Sequence, residues 1–112
     1  MGAVDTLTAA VDQDPDGTPV IVLAGQLDLA TAEIAQRALA KVPTAGGAAG
    51  RDGSAGDVVF DMTDLTFMDS SGLTVLLTAV STGHAVRVRR PTNVIRRIIA
   101  TTGLSEILPI EP

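Results

Sequence analysis

The stretch Asp69-Ser70-Ser71-Gly72 combines residue types that could do chemistry: two hydroxyls beside a carboxylate. It follows the apolar run Val58-Val59-Phe60 and opens an apolar periodic segment, so it falls where a buried strand hands over to a helix N-terminus. A helix start presents unpaired N–H groups and the positive pole of the helix dipole, and accommodates negative charge, a phosphate included. Ser70 and Ser71 therefore have three possible employments: helix cap, nucleophile or modification site.

A serine nucleophile needs a base within hydrogen-bond reach and usually a third group that orients the base. The single histidine, His84, follows Gly83 beyond the far end of the second helix. Over a helix from Ser70 to about Thr82, Ser70 and His84 lie roughly 18–20 Å apart and form no dyad. Lys41, the single lysine, closes the first helix before Pro43 and supplies no Ser–Lys pair. No catalytic residue is expected, and His84 reads as a turn or strand-start residue. Asp28, Asp61, Asp64 and Asp69 fall near strand ends and could together hold a divalent cation. Each also sits where Asp caps helices or makes turns, and no Asp-x-Asp spacing links them, so capping and turns are expected and a metal is not. The chain lacks Gly-x-x-x-x-Gly-Lys-Ser/Thr, and no cofactor is expected.

What remains is a hydroxyl on a surface, with Gly72 beside it leaving room for another protein's active site. The plain reading is a serine N-cap. The sharper one is a phospho-switch, in which a phosphate adds about −1.5 to −2 charges and three acceptors. A helix start tolerates that charge, so its effect would fall on a partner docked over the site.

The elements that position this stretch can be read in order. Leu7 to Val11 is a strand candidate, followed by the turn signal Asp14-Pro15-Asp16-Gly17. Val20 to Ala24 runs apolar without alternation, as a strand covered on both faces does, and the two strands should form an antiparallel hairpin. After Gly25-Gln26-Leu27-Asp28, the residues Ile34, Ala35, Ala38, Leu39 and Val42 mark a first helix, capped by Asp28 or Thr31 and stopped by Pro43. Asp57 to Met62 is the third strand. Leu73, Leu76, Leu77 and Val80 mark a second helix ending near Gly83. Val86 and Val88 alternate with Arg87 and Arg89, the pattern of a strand with one wet face, at a sheet edge. Pro91 to Thr102 is a third helix with the stripe Val94, Ile95, Ile98 and Ile99, and Gly103-Leu104 a left-handed stop. Ile107 to Ile110 either adds a short strand or packs. The order β-β-α-β-α-β-α predicts an α/β fold: a small mixed sheet of four to five strands with helices over at least one face.

Bulk properties narrow the function classes. With 112 residues, 46% of them apolar, the chain supplies one core and one domain, 1–112. Within it, residues 44–56 contain five Gly and four Ala and read as a flexible internal loop. Two phenylalanines are the only aromatics, which leaves little for base stacking. Cysteine is absent, which excludes thiol chemistry and disulfides and fits a reducing compartment. The first residues lack a signal-peptide pattern, and no apolar run reaches the roughly 18 residues of a membrane span, so a cytoplasmic protein is expected. Residues 1–86 carry a net −8 and residues 87–112 a net +3. Five arginines without aromatics read as a solvated face rather than a nucleic-acid surface.

The run Asp61-x-x-x-Leu65-x-Phe67-x-Asp69-Ser70-Ser71-Gly72-Leu73, preceded by Gly25-Gln26-Leu27-Asp28 and followed by Pro91 through Gly103-Leu104, resembles the STAS-domain anti-sigma factor antagonists of bacteria. The resemblance covers nearly the whole chain except 44–56, and implies partner switching in transcription regulation, in settings such as stress response or sporulation. The unmodified protein would bind an anti-sigma factor that is also a serine kinase, freeing the sigma factor. Phosphorylation of the first serine of the motif, here Ser70, would break the complex, and a serine phosphatase would reset it. Asp28, Asp69, Ser70, Ser71, Gly72 and Thr74 would form the docking surface of a protein that is monomeric when free. The choice of Ser70 comes from the resemblance, since helical phase counted from Leu73 and Leu77 favours Ser71 as the outer residue. Departures are Gln26 where Glu is frequent, Thr74 where Gly is common, a second helix about one turn short, and an insertion at 44–56. The alternative is a non-switching STAS scaffold or small-ligand module of a larger complex; an enzyme with an acidic metal site is the third possibility.

Overall fold

The computed structural model describes residues 7–42 and 56–111. Its first unit is the expected hairpin: β1 (Leu7–Gln13) pairs antiparallel with β2 (Pro19–Leu27). The N–H of Asp14 donates to the carbonyl of Thr18 at 2.9 Å and the N–H of Gly17 to the carbonyl of Asp14 at 2.8 Å. Gly17 sits at φ 91°, a left-handed conformation that a side chain would strain.

Five further described elements follow in the expected order: α1 (Ala32–Ala40), β3 (Gly56–Met68), α2 (Ser70–Ser81), β4 (His84–Arg89) and α3 (Asn93–Thr101). The sheet order is β1-β2-β3-β4, with β2, β3 and β4 mutually parallel. Mixed pairing follows from the connections, because a five-residue turn can join only antiparallel strands whereas crossovers through α1 and α2 return the chain parallel. The core lies on the sheet face bearing Ile21, Leu23, Val58, Phe60, Val86 and Val88, and takes in Ala35 and Leu39 of α1, Leu76 and Ala79 of α2, and Ile95 and Ile99 of α3. Val20 and Val59, paired in register, are buried separately from that cluster. Val22 and Ala24 are only half-buried, so β2 is fully covered on one face and partly on the other.

β3 is longer than the expected Asp57–Met62. It continues to Met68 because two register shifts against β2, between Val22 and Ala24 and between Gly25 and Gln26, each add a residue to β3. Core-facing positions therefore run Val58, Phe60, Met62, Leu65, Met68, two steps of two followed by two of three. That break in alternation disguises the second half of the strand as a junction. α3 starts later than expected: Thr92 is its N-cap, accepting from the N–H of Ile95 at 3.4 Å, and Pro91 precedes it. Gly103 at φ 76° ends it, with the N–H of Leu104 donating to Ile99 O at 3.2 Å, as the Gly-Leu stop predicted.

β4 lies at the sheet edge and is closed by the tail. Val88 N donates to Pro109 O at 2.9 Å and Glu111 N to Val88 O at 2.8 Å, giving a one-residue parallel bridge to Ile110, with Leu108 fully buried. Arg89 adds a charged tie: its Nε donates to Glu111 Oε1 at 2.7 Å, and its Nη atoms donate to both Asp14 carboxylate oxygens at 3.1 and 2.8 Å. The hairpin turn, the last strand and the tail are thus held to one guanidinium. The loop expected at 44–56 lies outside the described residues except Gly56, which starts β3.

Candidate functional site: the start of the second helix

Strands β2 and β3 run parallel and each delivers the chain to a helix, so α1 and α2 begin side by side at the carboxyl end of the two central strands. The register pairs Leu27 with Met68, and the N–H of Asp69 donates to Leu27 O at 3.2 Å. Asp28 and Asp69, the next residue on each strand, are therefore neighbours at the carboxyl ends of β2 and β3.

Neither serine is the helix cap. Asp69 holds that position in extended conformation, and its Oδ1 accepts the N–H of Ser71 at 2.8 Å. A carboxylate caps at least as well as a hydroxyl and also suits the positive helix end, so the serines move one and two positions inward. Ser70 is exposed and Ser71 half-buried, with no hydrogen bond recorded for either hydroxyl among the described residues. This reverses the helical-phase expectation. The buried stripe of α2 is Gly72, Leu73, Val75, Leu76 and Ala79, whereas Leu77 stays 36% exposed, and that rotation turns Ser70 outward.

Gly72 has a different physical role from the one expected. It is buried, and a Cβ there would lie 2.3 Å from Met68 Cγ and 3.0 Å from Leu27 Cδ2. Its missing side chain lets the first turn of α2 close onto the ends of β2 and β3; the space it clears is on the core side, away from the hydroxyl. Thr74 is exposed one turn on, its Oγ1 donating to Ser70 O at 3.1 Å.

The carboxylates are engaged locally. Asp28 Oδ1 accepts from the N–H groups of Ala30 and Thr31 at 3.0 and 3.1 Å. The buried Thr31 hydroxyl accepts from Asp28 N at 2.9 Å and donates to Gln26 O at 2.8 Å. Asp61 folds back on Thr63, accepting its N–H at 3.0 Å and its hydroxyl at 2.6 Å. Burial pushes the Asp61 carboxyl up, but these bonds and the Arg90 charge outweigh it and leave its pKa lowered. Three of the four acids considered for a cation are thus a cap and two turns, and no group of three or more potential metal ligands occurs among the described residues. His84 is the first residue of β4, buried, with Nδ1 3.2 Å from Gly56 O.

Spacing did not draw attention to Leu29, which is 82% exposed between Asp28 and α1. Its signal in the sequence is an apolar residue outside the helical stripe, directly after a turn-forming Asp.

A mixed sheet in which two parallel strands feed two helices, the second opening on Asp-Ser-Ser-Gly, is the arrangement of the STAS domain. The family model for that domain matches residues 9–112, and a solved anti-sigma factor antagonist from Mycobacterium paratuberculosis is 30% identical over 100% of this chain and 91% of its own, with a TM-score of 0.72. The chain belongs to the STAS-domain family of anti-sigma factor antagonists. The fold is shared with the antagonist SpoIIAA in its unphosphorylated form, at 22% identity over 94% of this chain and 89% of that one, TM-score 0.66. It recurs within the murine anion transporter Slc26a9, at 18% identity over 97% of this chain and 21% of that one, TM-score 0.61. A comparison with curated proteins gives no match. No helix among the described residues is long and apolar enough to cross a membrane.

Proposed function

We propose that this protein is a non-enzymatic regulator that binds an anti-sigma factor with serine-kinase activity, frees the sigma factor, and is switched off by phosphorylation of Ser70. The observation that carries the reading is the exposed Ser70 at the first position of α2, released from capping by Asp69. A kinase needs a hydroxyl it can reach, and a phosphate at this place meets a helix end that tolerates its charge. Asp28, Asp69, Ser71, Gly72 and Thr74 build the surrounding face, Gly72 from beneath. The phosphate acts on the complex: it adds charge and bulk where the partner must pack, and a serine phosphatase restores binding.

Support also comes from the fold's occurrence in a Bacillus cell fate determinant, SpoIIAA, in the phosphorylated form. Pull-downs with the anti-sigma kinases of the same genome test the proposal. Ser70→Ala is expected to bind and to resist release by ATP, while Ser70→Asp binds weakly. Equal retention of both variants would sink it. The similarity to part of a large transporter keeps a second reading in view, a non-switching STAS scaffold or ligand module. Absence of phosphate on Ser70 by mass spectrometry, after incubation with every such kinase and ATP, would favour that reading.

A further inference from the structure

We propose that Leu29 is the apolar anchor through which the Ser70 face selects its partner, and that the matching surface is an apolar pocket rimmed by basic groups; this rests on the antagonist reading above. A single exposed leucine is ordinary on a protein surface. Three properties set Leu29 apart.

The first is rigidity. Leu29 is 82% exposed, yet the peptide groups on both sides are tied down by the Asp28 carboxylate and the buried Thr31 hydroxyl. Little backbone freedom is left to lose on docking, which reduces the cost of ordering the contact. The second is position. Leu29 stands two residues past Leu27, and Ser70 two past Met68, the residues paired across β2 and β3. Leu77, 36% exposed, offers a second apolar contact along α2, about 10 Å beyond Ser70. A partner protein seated across the ends of both strands therefore covers Leu29 and Ser70 together.

The third is charge. Residues 26–36 and 63–78, which frame this face, contain Asp28, Glu33, Asp64 and Asp69 and no basic residue; Glu33 is paired with Arg37 of the same helix, which leaves Asp28, Asp64 and Asp69 as the uncompensated charge. Such a field attracts a basic surface and opposes a second copy of the same face, so the occupant is a partner protein and self-association is disfavoured.

The test uses the whole protein and each anti-sigma kinase of the same genome, purified singly, with binding followed by surface plasmon resonance. Val94, 58% exposed on α3, provides the control. Leu29→Ala is expected to weaken binding about tenfold or more, through faster dissociation. Val94→Ala should bind as wild type does, and added salt should slow wild-type association. In phosphorylation assays Leu29→Ala should raise KM with kcat unchanged. Leu29→Ala binding within about twofold of wild type overturns this inference alone. So does an equal loss in Val94→Ala, or wild-type self-association abolished by Leu29→Ala. Failure of wild-type protein to bind any of the kinases overturns the antagonist reading and this inference with it.

Discussion

Gly72 sets how closely Ser70 is held to the sheet. A methyl group there would overlap Met68 and touch Leu27, so any larger residue must displace the Met68 side chain or the first turn of α2. Two effects oppose each other in Gly72→Ala. Alanine improves helix propensity by up to about 1 kcal/mol, whereas overpacking a closed core costs about 1–3 kcal/mol. Overpacking wins, and urea denaturation should show a net loss of about 1–2 kcal/mol. Met68→Ala combined with Gly72→Ala should lose less than the two single losses added together, because the first clears the space that the second fills. Additive losses would separate the two residues. At this scale the serine pair was legible in the sequence as a helix start, but the serine that faces outward was not. The choice depends on a rotation of α2 by part of a turn, fixed by Val75 and Ala79 packing inward in place of Leu77, and hydropathy alone ranks leucine first. Asp69 as cap was open to prediction, since it stands beside the helix start with a carboxylate suited to the task.

The elements divide into those whose pattern is regular and those whose pattern is broken. The hairpin, the helices and β4 keep their periods of two or 3.6, so the mixed sheet could be read before any coordinates. β3 could not be read in full, because its two extra residues displace Leu65 and Met68 from alternation and bulges have no compositional mark here. The tie among β4, the turn and the tail was also hidden, since Asp14, Arg89 and Glu111 are brought together only by the finished sheet. That tie has a pH dependence. Arg89, by its hydrogen bond and then its charge, holds the Asp14 carboxyl below the usual range, and Asp14 raises the Arg89 pKa in return. A carboxyl whose folded pKa lies below its unfolded value of about 3.9 contributes stability in full above that value. The contribution is lost as pH falls through the folded pKa. Arg89→Met should therefore flatten the decline of stability below about pH 4. The measurement is chemical denaturation at a series of pH values, and an unchanged acid limb would count against the tie.

For the whole molecule, the site and the core are separate. Ser70 faces out while Leu73 and Leu76 of the same helix pack inward, so charge can be added without entering the interior. Ser70→Asp should keep the melting temperature within about 2–4 °C of wild type. A negative group near a helix start gains about 0.3–1 kcal/mol, and the adjacent Asp69 carboxylate opposes it. A melting temperature lowered well beyond that range, by circular dichroism, would mean that charge at Ser70 acts by unfolding the domain.

The bridge between Ile110 and Val88 has a consequence for how the protein is made. Residues Leu108 to Glu111, which seal the β4 edge, come after every strand of the sheet in the chain. A nascent chain that has already emitted β1 to β4 still carries an unpaired edge, the kind of surface on which neighbouring chains add strands. Between emergence of Arg89 and emergence of Glu111 the β4 edge therefore stays open to other chains, and it closes only when Leu108 to Glu111 have reached it.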